Sequence, residues 1–284
     1  GFAAHARRLA RSRRAVAGLA LLVLLFALAF AGPLVSPWAW DGTDFTAFRQ
    51  GPSAGHWLGT TPSGRDVFAL TLRGMRKSLL TGLLVAALST GLAAVVGTVA
   101  GFAGGWPDRL LMWGVDLLLV LPSFLVVAVL APRLGGSGAA LVPLLAAFLW
   151  MVTARVVRAA TISLREREYV LAARFLGVSG PRVVLRHIVP QLSSLLVVDA
   201  GLNVSVAVVA ESGLSYLGLG VRPPDVSLGT LIADGGPAAT DRPWPFLSAA
   251  GLLVLIVLAV NLLGDGLRDL LDPASRPHRP GGEP

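Results

Sequence analysis

The chain has no cysteine, a single lysine (Lys77) and only 14% charged residues, where an ordinary soluble domain carries about 25%. Without cysteine there is no disulfide framework, thiolate metal site or thiol nucleophile. With Lys77 preceded by Arg76, the phosphate-cradling run Gly-x-x-x-x-Gly-Lys-Ser/Thr cannot form, so this chain does not hold ATP by a P-loop. The four histidines, His5, His56, His187 and His278, are far apart, and none has the spacing of a helical zinc site. Gly135-Gly-Ser-Gly falls short of a serine nucleophile elbow because Ala139 stands where its last glycine would be. The run Gly213 to Gly220 has no strand–Gly-x-Gly-x-x-Gly–helix context. No catalytic residue, metal site or resident cofactor is therefore assigned.

The net charge of +8 comes almost wholly from arginines lying between apolar stretches. That pattern suits anchoring at a membrane surface, and nucleic acid is not an expected partner.

What the chain has in abundance is long apolar runs. Several reach about 20 residues, the length that crosses roughly 30 Å of hydrocarbon. The first occupies residues 15–36, behind a basic head at 1–14 with Arg7, Arg8, Arg11, Arg13 and Arg14. It is too long for the apolar core of a cleaved signal and is expected to be retained as a helix. Further spans are expected at about 79–102, 110–130, 139–157, 192–209 and 246–263. Gly82, Gly91, Gly97 and Gly101 punctuate the second, as small residues do where helices approach closely in lipid. The expected fold is an all-α membrane protein with about six transmembrane helices. Its five-helix core covers 79–266, with long loops at 37–78 and 211–245 and a tail at 267–284 that is Pro- and Gly-rich from Pro273 to Pro284. The chain opens on Gly1 rather than methionine, which leaves room for native residues ahead of it.

Basic residues set the orientation. With the N-terminus in the cytoplasm and six alternating spans, inner segments hold sixteen of the 24 basic residues. Both termini are then expected in the cytoplasm of a bacterial cytoplasmic membrane. Arg73, Arg76 and Lys77 stand against this, on the outer side beside the second span.

Three polar residues fall inside expected spans. Asp116, Asp199 and Asn203 either line an aqueous path, where a cargo ammonium could meet them, or are structurally paired, Asp116 with Arg155 or Arg158.

The segment between the fourth and fifth spans, 163–190, is the most informative. Leu164 to Leu176 is expected to be helical, Gly177 and Gly180-Pro181 break it, and Arg182 to Ile188 leads to Pro190 at the mouth of the fifth span. It reads either as an interfacial loop or as a small-faced helix that docks into a groove on a partner.

The run from Tyr169-Val-Leu-Ala-Ala-Arg-Phe-Leu-Gly-Val-Ser to Leu-Arg-His-Ile-Val-Pro190 resembles the Glu-Ala-Ala-x-x-x-Gly loop of bacterial ABC importer permeases. His56-Trp-Leu-Gly-Thr, Gly64-Arg-Asp-Val-Phe, Gly101-Phe-Ala-Gly-Gly-Trp-Pro-Asp, Ala210-Glu-Ser-Gly-Leu-Ser-Tyr-Leu-Gly-Leu-Gly and Asn261-Leu-Leu-Gly-Asp-Gly are similar to the C-type permease subunits of oligopeptide and dipeptide importers. The resemblance covers about Arg7 to Pro273. It implies a type I ABC importer transmembrane domain that moves peptides by alternating access, with nickel chelates, glutathione or an opine as alternative cargo. A self-sufficient secondary transporter is the alternative outside that family. The resemblance also implies a second, distinct permease, two separate ATPase subunits that bind ATP and magnesium, and an extracytoplasmic peptide-binding protein. A cytoplasmic coupling helix is carried onto Glu168, Tyr169, Leu171, Ala172, Ala173, Leu176, Gly177, Val178, Ser179 and Pro190. The family usually has glutamate where this chain has Leu171, so the role is assigned to the helix as a whole.

Overall fold

The computed structural model describes residues 12–134 and 138–271. Arg7, Arg8, Arg11, His5, His278, residues 135–137 and the tail from 272 lie outside them. The described residues form eleven α-helices and no strand, apart from one isolated bridge between Thr60 and Asp66. In chain order these are α1 (Arg13–Val35), α2 (Val67–Ala103), α3 (Gly105–Val120), α4 (Ser123–Leu130), α5 (Gly138–Leu149), α6 (Met151–Arg165), α7 (Glu168–Phe175), α8 (Gly180–Val183), α9 (Val189–Tyr216), α10 (Leu228–Gly235) and α11 (Pro243–Leu271). Four stretches are unbroken and long enough to cross a membrane: α1, α2, Gly180–Tyr216 and most of α11. Two bent pairs complete six: α3 with Ser123–Leu134, bent by 76°, and α5 with α6, bent by 45°.

The first bend has a local cause. Leu121 precedes Pro122 and takes an extended backbone, φ −72° and ψ 131°, because a proline ring crowds the helical conformation of the residue before it. At the second bend no proline intervenes. Trp150 Nε1 donates to the Ala147 carbonyl over 2.9 Å, an acceptor that a straight helix would give to the N–H of residue 151.

The 37-residue α2 is the central post, about 55 Å long at 1.5 Å per residue. It packs against α1, α5, α6, α9 and α10, while α11 lies against α1 and α9. It begins at Val67, not at the expected residue 79. Asp66 caps it by accepting from the Ala69 N–H at 2.8 Å, satisfying an otherwise orphaned donor. Arg73, Arg76 and Lys77 therefore lie on a helix rather than in a loop. Likewise α9 runs to Tyr216, so Glu211 lies inside a helix and not at the start of the 211–245 loop.

In lipid, apolar burial between helices gains little, because the solvent is itself apolar, so close van der Waals packing and buried polar contacts hold the bundle. Gly97 and Gly101 face α6: a Cβ on Gly97 would stand 2.5 Å from the Ala154 carbonyl oxygen, and one on Gly101 2.7 Å from that of Arg158. Gly18 on α1 meets α11 at the Leu263 nitrogen in the same way, at 2.4 Å. The main core joins Leu25, Leu72, Met75, Leu79, Val208 and Ile256. The outside is equally apolar: Leu24, Val95, Trp113, Val120 and Val254 are all exposed, which suits a surface facing lipid rather than water.

Candidate coupling loop and intramembrane polar cluster

At one end of the post, α6 stops at Arg165 and the chain turns through Glu166 and Arg167 before α7. The expected single helix from Leu164 to Leu176 is thus two helices, broken where Arg167 becomes extended at φ −69°, ψ 141°. Glu168 in the first turn and Arg174 in the last both suit the helix dipole. Two hydrogen bonds close α7 in a Schellman motif: Gly177 N–H to Arg174 at 3.0 Å and Val178 N–H to Ala173 at 3.1 Å. Gly177 takes φ +79°, the left-handed conformation such a stop requires.

One face of α7 is pinned. Val170 and Ala173 are buried with Val183 of α8, against Phe102 of α2 and Val178. Arg174 stacks over the Phe102 ring at 5.8 Å, and Tyr169 meets His187 at 6.3 Å. The other face is bare. Glu168, Tyr169, Leu171, Ala172, Gly177 and Ser179 are exposed, and Phe175 and Leu176 form a tip that is 89% and 85% exposed. From Gly180 the chain runs without a break into α9. Pro190 has no N–H and its ring crowds the carbonyl four residues back. A π-turn over Val184–Ile188 precedes it, with Val189 N–H bonding Val184. The wider turn absorbs the proline without ending the helix.

Within the bundle the structure brings Asp199 and Asn203 together with two residues that sequence reasoning passed over. Asp199 Oδ1 accepts from Thr153 Oγ1 of α6 at 2.7 Å, and its Oδ2 from Thr90 Oγ1 of α2 at 3.1 Å and from Asn203 Nδ2 at 2.9 Å. Asn203 Nδ2 also reaches Thr90 Oγ1 at 3.3 Å. Thr90, Thr153 and Asn203 are buried, while Asp199 is half-buried and opens on a cleft of about 440 Å³ that Ser194 and Arg268 also line. Threonines in apolar helices carry little sequence signal, and these two become visible only when three helices cross.

Asp116 lies apart from that cluster. It pairs with Arg155 on an exposed surface between α3 and α6. Its neighbour Arg158 instead grips the buried Asp108 with two nitrogens, one contact at 2.6 Å. Asp108 follows Gly104 and Gly105, whose positive φ turns the chain between α2 and α3.

The other end of the post carries a cap made by residues 36–66 and 217–242. The His56 ring nitrogens lie 2.8 Å from Asp66 Oδ2 and 3.4 Å from Asp44 Oδ2, with Trp38 stacked on the ring. Hydrogen bonds from Thr46, and then His56, hold the Asp44 carboxyl below its ordinary range. Asp225 bridges Arg73, at 3.2 Å, and Lys77, while Arg73 lies over Trp40 and Arg76 over Phe30. Glu211 is wholly buried and accepts from Ser78 at 2.9 Å and Ser215 at 2.7 Å. Ser78 Oγ in turn accepts from the Leu228 N–H, which ties α10 to α2. Among the described residues no group of three or more histidines and carboxylates could hold a metal ion.

Comparison with known proteins agrees with this architecture. Residues 93–277, more than half the chain, match the family described as binding-protein-dependent transport system inner membrane component. Residues 2–52 match the N-terminal TM domain of oligopeptide transport permease C. The chain is 56% identical to the oligopeptide transport system permease protein OppC of Mycobacterium tuberculosis H37Rv, over 97% of its own length and 95% of that protein. It is 40% identical to a putative peptide permease protein of Brucella suis, covering 95% and 90% of the two chains. It is 36% identical to OppC of Bacillus subtilis, covering 95% and 88%. With its multi-pass helical bundle and these matches, the chain belongs to the family of inner membrane components, or permeases, of binding-protein-dependent transport systems.

Proposed function

We propose that this chain is one of two permease subunits of an ATP-driven importer of oligopeptides or dipeptides, with both termini in the cytoplasm. Two separate ATPase subunits bind ATP and magnesium, a second and distinct permease completes the path, and an extracytoplasmic binding protein delivers the peptide. The relatives named as peptide permeases support the cargo.

One observation carries the coupling mechanism: α7 exposes Phe175 and Leu176 at its tip while its inner face is fixed to α2 and to α8, from which the chain runs on into α9. A short helix held in this way moves as a body. If the tip sits in a groove on an ATPase, closure of the ATPases on ATP drags α7, and with it α6 and α9, between two arrangements. Asp199 and Asn203 border the path where α2, α6 and α9 cross; Asp116, occupied by Arg155, does not.

The test is peptide uptake and ATP hydrolysis by the assembled complex in liposomes. Phe175→Asp and Leu176→Asp alter exposed side chains, so the chain is expected to insert normally. Uptake is expected to fall by about tenfold or more, as for a loss of ~1.4 kcal/mol in docking. Undiminished uptake in both variants would refute the assignment.

A further inference from the structure

At the cap end of the bundle three arginines face one cleft of about 420 Å³. Arg49 comes from the 36–66 stretch, Arg65 from the residue before the Asp66 cap, and Arg242 from the turn before α11. None of the three guanidinium groups makes an ion pair or a hydrogen bond among the described residues. Five other cationic side chains do have carboxylate partners: Arg73 and Lys77 meet Asp225, Arg155 meets Asp116, Arg158 meets Asp108, and Arg14 meets Asp269.

Three unmatched guanidinium groups in one recess call for an anion, and the planar fork of each fits a carboxylate through two parallel hydrogen bonds. The recess also has apolar walls, among them Val67, Leu231 and Pro245. Its ligand should therefore carry an apolar group beside its charge. Arg49 has φ +53°, the only positive φ outside glycine among the described residues. It is kept there by its N–H to the Thr61 carbonyl at 3.1 Å and by the Gln50–Thr60 pairing that follows. Strain maintained beside a cleft is more often found at working sites than elsewhere. Asp234 also lines the cleft, its carboxyl pushed above the ordinary range by desolvation.

We propose that the Arg49–Arg65–Arg242 cleft binds the free α-carboxylate of a peptide, with the adjoining side chain against the apolar wall, during transfer from the delivery protein to the bundle. The proposal rests on the importer reading above. The test uses the complete complex in nanodiscs, without delivery protein and without ATP, titrated with N-acetyl-alanyl-leucine and with its C-terminal amide. The free acid is expected to bind about tenfold or more tightly than the amide, a difference of ~1.4 kcal/mol. The double change Arg49→Gln and Arg242→Gln is expected to erase that difference, and Arg→Lys at both positions to restore part of it. Equal binding of acid and amide, or a preference that survives the double change, overturns the proposal. Binding without ATP is independent of the α7 tip, so failure of the coupling assignment shows in Leu176→Asp uptake and not in this titration.

Discussion

Thr153 Oγ1 on α6 donates a 2.7 Å hydrogen bond to Asp199 Oδ1 on α9, which joins the helix entering the 166–179 loop to the helix leaving it. Thr90 adds the central post to the same carboxylate. In the coupling proposed above, this polar cluster would link α2, α6 and α9 in addition to their apolar packing.

Removing members of that cluster is expected to cost stability in proportion to the donors left stranded. Thr153→Val deletes one bond and should cost about 0.6–1.7 kcal/mol, the range for hydrogen bonds between helices in membranes. Asp199→Leu strands Thr90, Thr153 and Asn203 together and should cost more, at ~1–3 kcal/mol for each buried group left unsatisfied. Thermal unfolding of the purified chain in detergent, with Asp199→Asn as the milder control, checks the order.

The α2–α6 contact makes a second prediction. A methyl at Gly97 would meet the Ala154 carbonyl oxygen at 2.5 Å and Val157 Cβ at 2.8 Å. Backbone cannot yield there as a flexible side chain could, so Gly97→Ala should destabilise by about 1–3 kcal/mol through overpacking. Gly91 lies on the same helix, where an added methyl would find nothing within 4 Å, and Gly91→Ala should be neutral or slightly stabilising. Equal effects from the two changes would mean that helix propensity, and not interhelical distance, governs these positions.

The spans were legible in the sequence because about 20 apolar residues in a row leave few alternatives. Their limits were less so. The first three turns of α2 carry Arg73, Arg76 and Lys77, which read as loop until Asp225, Trp40 and Phe30 are seen to receive them. These partners lie far off in the chain, and no local pattern announces them. Pro122 was visible, yet the 76° break it causes was read through because the residues on both sides are apolar. Ser227-Leu-Gly-Thr230 caps α10 by reciprocal bonds, but with threonine in the place of the usual glutamate or glutamine it carries a weak signal. In the 163–190 segment the glycine stop at 177 was legible, since little else tolerates that conformation. The break at 166–167 was not, because no glycine or proline marks it.

Asp225 makes a prediction about acid. Burial by itself would raise its carboxyl, but the hydrogen bonds and charges of Lys77 and Arg73 outweigh that and hold it below its ordinary 3.8. A carboxyl depressed by folding contributes stability that is fully present above the unfolded value and is lost as pH falls through the folded one. Asp225→Asn should therefore unfold more readily than the parent at pH 7, by about 1 kcal/mol for two charge-assisted bonds at a partly exposed site. The gap should begin to narrow below about pH 4, where the unfolded carboxyl takes up its proton, and go on closing as pH falls through the lower folded value. Unfolding curves at pH 7 and pH 3.5 are the measurement, and a gap independent of pH would assign the effect to side-chain packing.

The stop at Gly177 distinguishes conformation from size. Its φ is +79° and a Cβ there would meet no atom within 4 Å, so a substitution strains the backbone without clashing. Alanine in the left-handed region costs about 1–2 kcal/mol. Asparagine is larger, yet enters that region more readily because its short polar side chain can bond locally. If the Schellman closure is what holds the α7 tip in place, Gly177→Asn should protect the amides of residues 173–178 better than Gly177→Ala. Gly177→Val, branched at Cβ, should be the worst of the three. Hydrogen exchange of the 168–178 peptide reads the order directly, and peptide uptake by the assembled complex should follow it. An order that tracked side-chain volume instead, with alanine ahead of asparagine, would place the constraint in the surroundings of Gly177 and not in its backbone.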